Sequence, residues 1–383
     1  MGITMNNAGT VPVLLIGDGS VAAGIFSHFV SSLARALERA GESVIVYGRD
    51  CHTPEDLLNI IESPLKCIIG FQEKFLCCDP VVEKHIKCFQ FIFDNPFELT
   101  GIILKRNDPE YITLFSDSGY MKDAVRFFGQ KNAYFFPPGA AIDNMCTVPA
   151  AVREMDVVFF GGYRRAPGDD YRWEDEFYRC FYEYMLKHPS KTFREGAEEL
   201  LAMTGERFEE DEFAAIMQLL KHSCNLAAGA YRAGVVECLL ENGIMIHVFG
   251  NSWDMYNGKY PERLIRHSGV NAVSAAGVYQ NSKISLNVMS WHRAGITERI
   301  LESMICGAVC VSDETTELKN AFVNRSDILM FMPEQPQAVV NSIKYLLSEP
   351  DILNMIAVSG RDKVVAGHTW DLRVKKIMSM IEM

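Results

Sequence analysis

Several signatures are missing from this sequence: there is no CxxC pair, no HExxH, no DxD, and no stretch near the roughly 18 apolar residues that a membrane span needs. The first absence argues against a disulfide reading of the cysteines, and the second against a zinc site. No metal site is expected, since the nine histidines form no zinc-type pairing with the cysteines. The N-terminal MGITMNNAGT lacks a basic segment, and the apolar VPVLLIG behind it is too short for a secretory signal. Eleven cysteines, an odd number in a long chain, lead us to expect buried, reduced thiols in a cytoplasmic protein with no stable membrane insertion. Positive charge is also in deficit: 49 Asp and Glu outweigh 37 Lys and Arg, for a net charge of -12. Such a field repels phosphate backbones and anionic lipid, which disfavours a general nucleic-acid or membrane binder and leaves room for a local basic pocket.

What is present is ample core material. At about 150 residues per domain, 383 residues suggest two or three domains, and a 48% hydrophobic, 11% aromatic composition excludes a disordered chain. An apolar run at 11–16 ends in Gly17-Asp18-Gly19-Ser20 and leads into helical spacing. Buried-type strands follow at 43–47, 65–70, 88–93, 111–115 and 132–136, with helices at 54–61 and 117–128. Apolar strands alternating with helices imply a parallel sheet covered on both faces. Residues 137–154, with three prolines, read as a linker. A second alternation opens with MDVVFF and Gly161-Gly162, with strands at 245–249, 284–288, 308–312 and 327–331 and helices at 335–348, 350–358 and 370–382. The expected fold is α/β, with two Rossmann-like, doubly wound parallel-sheet domains at 1–148 and 149–383. A helical insert at about 171–241 enlarges the second, and the last helix returns to pack on the first.

The first glycine turn, Gly17-x-Gly19-x-x-Ala22, satisfies a loose dinucleotide fingerprint, and a tight chain reversal explains it equally well. Gly161-Gly162-Tyr163-Arg164-Arg165 combines glycines that let backbone approach a diphosphate with arginines that could neutralise one; a solvated surface loop is the alternative. His247, inside an apolar strand, reads as a core histidine. The most informative segment is 290–314, SWHRAGITERILESMICGAVCVSDE. It places Glu298 and Glu302 four apart on one helix face, and Glu302 sits among apolar neighbours, where a carboxylate needs hydrogen-bond donors. A helix starting at Gly295, Ile296 and Thr297 would turn its amides toward an anion.

Arg299-x-x-Glu302-x-x-x-Cys306-Gly307-Ala308-Val309 resembles the R-x-F-E-x-x-A-C-G signature of bacterial family-1-like glycosyltransferases, in particular the spore-maturation glycosyltransferase-like group. Phe159-Phe160-Gly161-Gly162, Tyr279-x-x-Ser282-Lys283-Ile284-Ser285-Leu286-Asn287 and His368-Thr369-Trp370 agree with it in order, as do Phe93-Asp94-Asn95-Pro96 and Phe115-Ser116-Asp117 in the first domain. The resemblance is strongest over 270–375, and the helical region 171–241 has no counterpart in it.

The resemblance implies a GT-B fold, with two Rossmann-like domains facing a cleft, and transfer of a sugar from a nucleotide-diphosphate-sugar donor. No separate cofactor is implied, because the nucleotide sugar is the co-substrate. In that scheme Glu302 takes the ribose hydroxyls. Gly161, Gly162 and Arg164, with Gly295, Ile296, Thr297 and Arg299, take the diphosphate, and Phe249, Gly250 and Asn251 lie near the base. Gly19, Ser20 and Asp117 face the acceptor, which would be a glycan, protein, lipid or small molecule in preference to nucleic acid. Asp18 is the candidate base, with His292 and Asp117 behind it; an Asp in a glycine turn bonding its own backbone is the alternative. Many retaining relatives carry a Glu eight residues before the ribose-binding one, and that position is Ala294 here, so retention of configuration does not carry over. Lack of a DxD motif suits metal-independent chemistry, in which helix dipole and cations stabilise the leaving diphosphate. An NAD(P)-dependent oxidoreductase using the Gly17 turn and a non-catalytic nucleotide-sugar-binding scaffold are the alternatives.

Overall fold

A computed structural model describes residues 11–17, 25–48, 51–72, 81, 84–99, 107–168, 171–205, 207–267, 270–290 and 292–382. Two compact units result: Met1–Asp143 with Asn271–Ala275 and Val365–Met383, and Asn144–Val270 with Ala276–Val364.

The first unit carries a parallel sheet of β1 (Val13–Gly17), β2 (Val44–Gly48), β3 (Cys67–Phe71), β4 (Cys88–Ile92), β5 (Tyr111–Phe115) and β6 (Ala133–Phe135), in the order β2-β1-β3-β4-β5-β6. β1, β3, β4 and β5 are buried along their whole length, as expected of strands covered on both faces. Local sequence sets the helix starts. Thr53 and Asp56 form a capping box at Pro54–Glu62, and Asp117 caps Ser118–Phe128, which stops at Gly129 in the left-handed conformation, φ 64°. At Gly17 the helix Ile25–Arg39 packs directly on β1. A Cβ there would stand 2.6 Å from Val30 Cγ2, so this glycine has a packing role whatever follows it. The helix Trp370–Ile381 belongs to this unit, and Trp370 is buried among Phe29, Phe71 and Phe91.

In the second unit β7 (Met155–Phe160), β8 (Ile246–Phe249), β9 (Leu264–His267), β10 (Ser282–Asn287), β11 (Val309–Asp313) and β12 (Leu329–Phe331) form a parallel sheet in the order β12-β11-β10-β7-β8-β9. Counted from β7 this is the doubly wound order 3-2-1-4-5-6, and its strand order reverses between β7 and β10. Ligands of open α/β sheets bind beyond the strand ends at such a switch point. The helix-rich region resolves into Glu176–Lys187, Phe193–Ala202, Glu210–Leu219 and Lys221–Glu241. β9 is a strand that the sequence pattern did not indicate. It pairs only with β8, at the sheet edge, and carries the exposed Arg266, so its four residues show no apolar run. Among the described residues no helix is long and apolar enough to cross a membrane.

Candidate donor site at the second sheet

At the switch point of the second sheet the chain turns sharply at Gly161. Its amide donates to the Phe249 carbonyl at 3.0 Å, and its carbonyl accepts from Trp253 Nε1 at 2.7 Å. The Tyr163 amide donates to the Asn251 carbonyl at 3.0 Å. Two backbones meet here with no room between them, since a Cβ on Gly250 would lie 2.4 Å from the Gly161 carbonyl oxygen. The Gly161-Gly162 turn and the Phe249-Gly250-Asn251 segment, separate in sequence, therefore form one bonded structure. Phe160 stacks on Phe249 (centroids 5.0 Å apart), and Phe249 stacks on His267 at 4.3 Å. His247 Nδ1 lies 2.9 Å from His267 Nε2, so this half-buried histidine has a partner within the sheet.

Cations gather around this turn. Arg299 Nη1 donates to the Phe160 carbonyl at 3.0 Å. Arg232, on the helix Lys221–Glu241, brings Nη1 to 3.6 Å from where a Gly161 Cβ would be. Arg164 is exposed and lies across the same helix at Gly229, whose missing side chain makes the contact possible: a Cβ there would stand 2.7 Å from Arg164 Cβ. Burial, then repulsion from Arg299 and Arg164, pulls the Arg232 guanidinium down to about 9, low for arginine and still charged at neutral pH. Cations this close repel one another, and an anion between them would relieve that repulsion.

Residues 288–290 and 292–297 run from the end of β10 to the next helix. Met289 donates its amide to Asp313 Oδ1 at 2.6 Å, and Thr315 Oγ1 donates to the Gly295 carbonyl at 2.8 Å. Gly295, Ile296 and Thr297 are buried, and Thr297 begins the helix Glu298–Ile305 with no side-chain cap on its amides. A helix start of this kind favours negative charge. On the same helix Glu302 is buried, and its Oε2 accepts from Asn144 Nδ2 at 3.1 Å. His292 is buried too. Burial first, then Arg299, Arg293 and Arg232, drives its imidazole down to about 3, so it is neutral across the physiological range and a poor proton acceptor there.

The structure thus brings together Gly161, Gly162, Arg164, Phe249, Gly250, Asn251, His292, Arg299 and Glu302, and the helix start at Gly295–Thr297, within one unit. Asp117 lies in the other unit. It is buried, and its Oδ1 accepts from the Gly119 and Tyr120 amides, which makes it a helix cap. Asp18, Gly19 and Ser20 lie outside the described residues. Arg232 escaped the sequence reading, because a lone arginine in a small-residue helix, AAGAYRAG, shows no motif; the glycine three residues before it was the available signal. Among the described residues no group of three or more His, Cys, Asp or Glu is placed to hold a metal ion.

Residues 232–379 match the family described as Glycosyl transferase-like. Among solved structures the chain is similar to sucrose-phosphate synthase from Thermosynechococcus elongatus (13% identity, TM-score 0.55, covering 97% of this chain and 99% of that one). It is also similar to a glycosyltransferase from Rickettsia africae (10%, 0.56, 98% of each). An alpha-glucosyltransferase solved with UDP-glucose and DNA matches at 13% identity and a TM-score of 0.56, over 98% of this chain and 100% of that one. No curated protein matches in sequence. The two parallel six-stranded sheets define a GT-B fold. Its C-terminal part carries the glycosyl transferase-like family match, which begins at Arg232.

Proposed function

We propose that this protein transfers a sugar from a nucleoside-diphosphate-sugar donor to an acceptor hydroxyl, without a metal ion. The observation that carries the reading is the cationic turn: Arg232, Arg299 and Arg164 surround Gly161 beside the uncapped start of Glu298–Ile305. As the bond to the sugar breaks, negative charge grows on the leaving diphosphate, and preorganised guanidinium groups and helix amides stabilise it most at that moment. Glu302 takes the ribose hydroxyls, and the Phe249-Gly250-Asn251 segment lies along the base.

The finer likeness to the spore-maturation group rests on the Arg299-x-x-Glu302 signature, and hexosyl transfer on the glucosyltransferase named among the similar structures. Ala294, standing where many retaining relatives have a carboxylate, favours one second reading, a nucleotide-sugar-binding protein that does not catalyse. A thermal-shift panel of UDP, GDP, ADP, CDP and dTDP sugars, with NADH as control, followed by a release assay on whichever donor stabilises the protein, separates these. Stabilisation by a nucleotide sugar with release of its diphosphate supports transfer, stabilisation without turnover supports the binding protein, and stabilisation by NADH alone would sink both.

A further inference from the structure

Asn144 holds the carboxylate to which the reading above gives a specific task. Its Nδ2 donates to Glu302 Oε2 at 3.1 Å, and its own carbonyl accepts from Gln280 Nε2 at 3.0 Å. The chain around it is fixed as well. The Cys146 amide donates to the Ile305 carbonyl at 3.2 Å, Arg361 Nη1 reaches the Cys146 carbonyl at 3.4 Å, and Arg153 Nη2 donates to the Val148 carbonyl at 2.8 Å. The segment 144–148 is therefore bonded along the helix that carries Glu302, and Asn144 meets the carboxylate from a braced backbone. Glu302 is only 6% exposed, so its carboxylate draws its hydrogen bonds from the protein, and a donor such as Asn144 holds it in one rotamer.

We propose that Asn144 is a positioning residue for ribose recognition. It holds Glu302 in place before the donor arrives, so that the carboxylate meets the vicinal 2′- and 3′-hydroxyls of a nucleoside diphosphate without rearranging. The inference rests on the ribose role given to Glu302 above. A site built to bond a hydroxyl rejects the analogue that lacks it, because the buried acceptor is left unpaired, and that rejection weakens when the acceptor is free to turn away. Asn144 therefore sets the preference for ribo- over 2′-deoxyribonucleotides, whereas a purely structural residue would change both affinities together.

The test is calorimetric titration of the full chain with UDP and dUDP, GDP and dGDP, ADP and dADP, and CDP and dCDP, in wild type, Asn144→Ala, Asn144→Asp and Glu302→Ala. Wild type is expected to bind one ribonucleotide at least ~10-fold more tightly than its deoxy partner. Both Asn144 variants should lose most of that ratio through weaker ribonucleotide binding, with deoxynucleotide affinity held within about twofold. Asn144→Asp keeps the side-chain volume and replaces the donor with a second carboxylate, so the test stands even where Asn144→Ala fails to fold. Undiminished discrimination in the Asn144 variants, with loss of it in Glu302→Ala, overturns the role of Asn144 and leaves the ribose carboxylate standing. A wild type that binds both members of each pair equally, or a Glu302→Ala protein that still discriminates, overturns the ribose reading itself and the proposal with it.

Discussion

Arg293 and Asp313 form an ion pair at 2.7 Å with both side chains almost fully withdrawn from solvent. Burial disfavours the guanidinium charge, but Asp313 and Tyr231 more than offset this, and the Arg293 pKa is raised. Asp313 also accepts the Met289 amide and, at 3.2 Å, the Tyr231 hydroxyl. One carboxylate therefore ties the end of β11 to the loop 288–297 and to the helix Lys221–Glu241, the pieces that carry His292 and Arg232.

Removing Asp313 leaves Arg293 buried and unpaired, so Asp313→Ala is expected to cost about 3–5 kcal/mol in urea unfolding. Replacing both partners with apolar residues of similar volume should recover much of the loss, because a buried pair contributes little net stability over an apolar core. Equal unfolding midpoints for wild type and Asp313→Ala would refute the keystone role.

Arg232 makes the opposite prediction. It sits against Arg299 and Arg164, so Arg232→Gln relieves repulsion in the empty protein and is expected to leave the melting temperature unchanged or raise it. A charge-assisted bond to a diphosphate contributes about 1.5–3 kcal/mol. The same variant should therefore bind the nucleoside diphosphate ~10- to 100-fold more weakly, while the nucleoside alone binds as before. Gly229→Val should imitate it, because the new side chain displaces Arg164. An Arg232→Gln protein with wild-type diphosphate affinity would remove Arg232 from the site.

Much of the site was legible in the sequence, because the glycine turns and the 290–314 segment are local patterns whose chemistry is written in adjacent residues. The strands buried on both faces were equally plain as apolar runs. What escaped depends on contacts between distant segments. β9 is an edge strand with polar positions, Arg232 gains its meaning only when Gly161 and Gly229 come beside it, and Asn144 meets Glu302 across more than 150 residues of chain. At Asp117 the structure adds a local role to the residue expected on the acceptor side: its carboxylate caps the helix that the next residues start.

His292 gives a pH dependence with a definite sign. Its folded-state value of about 3 lies below the ordinary histidine value of 6.5, so between those limits the unfolded chain binds the extra proton. Its contribution to stability is thus fully present above pH 6.5 and is lost as pH falls toward 3, at up to about 1.4 kcal/mol per pH unit. Unfolding free energies measured at pH 7.0 and at acid pH should diverge less in His292→Asn than in wild type. An unchanged acid slope would show that His292 is not the group responsible.

Trp370 tests how far the two units depend on each other. Its indole is fully buried, 5.7 Å from the Phe29 ring and edge-on to Phe71 and Phe91 at 6.4 and 5.9 Å. Its amide donates to the Ala140 carbonyl at 3.0 Å, and a Cβ on Gly139 would stand 2.4 Å from the same nitrogen, so the segment at Gly139–Ala140 and the last helix are fitted backbone to backbone. Trp370→Ala empties the centre of the first unit's aromatic core and is expected to cost about 3–5 kcal/mol. None of the residues proposed for the donor lies in that unit, so nucleoside-diphosphate affinity at a temperature where the variant is still folded should stay within about twofold of wild type. Loss of stability together with loss of nucleotide binding would mean that the donor site needs an intact first unit to form.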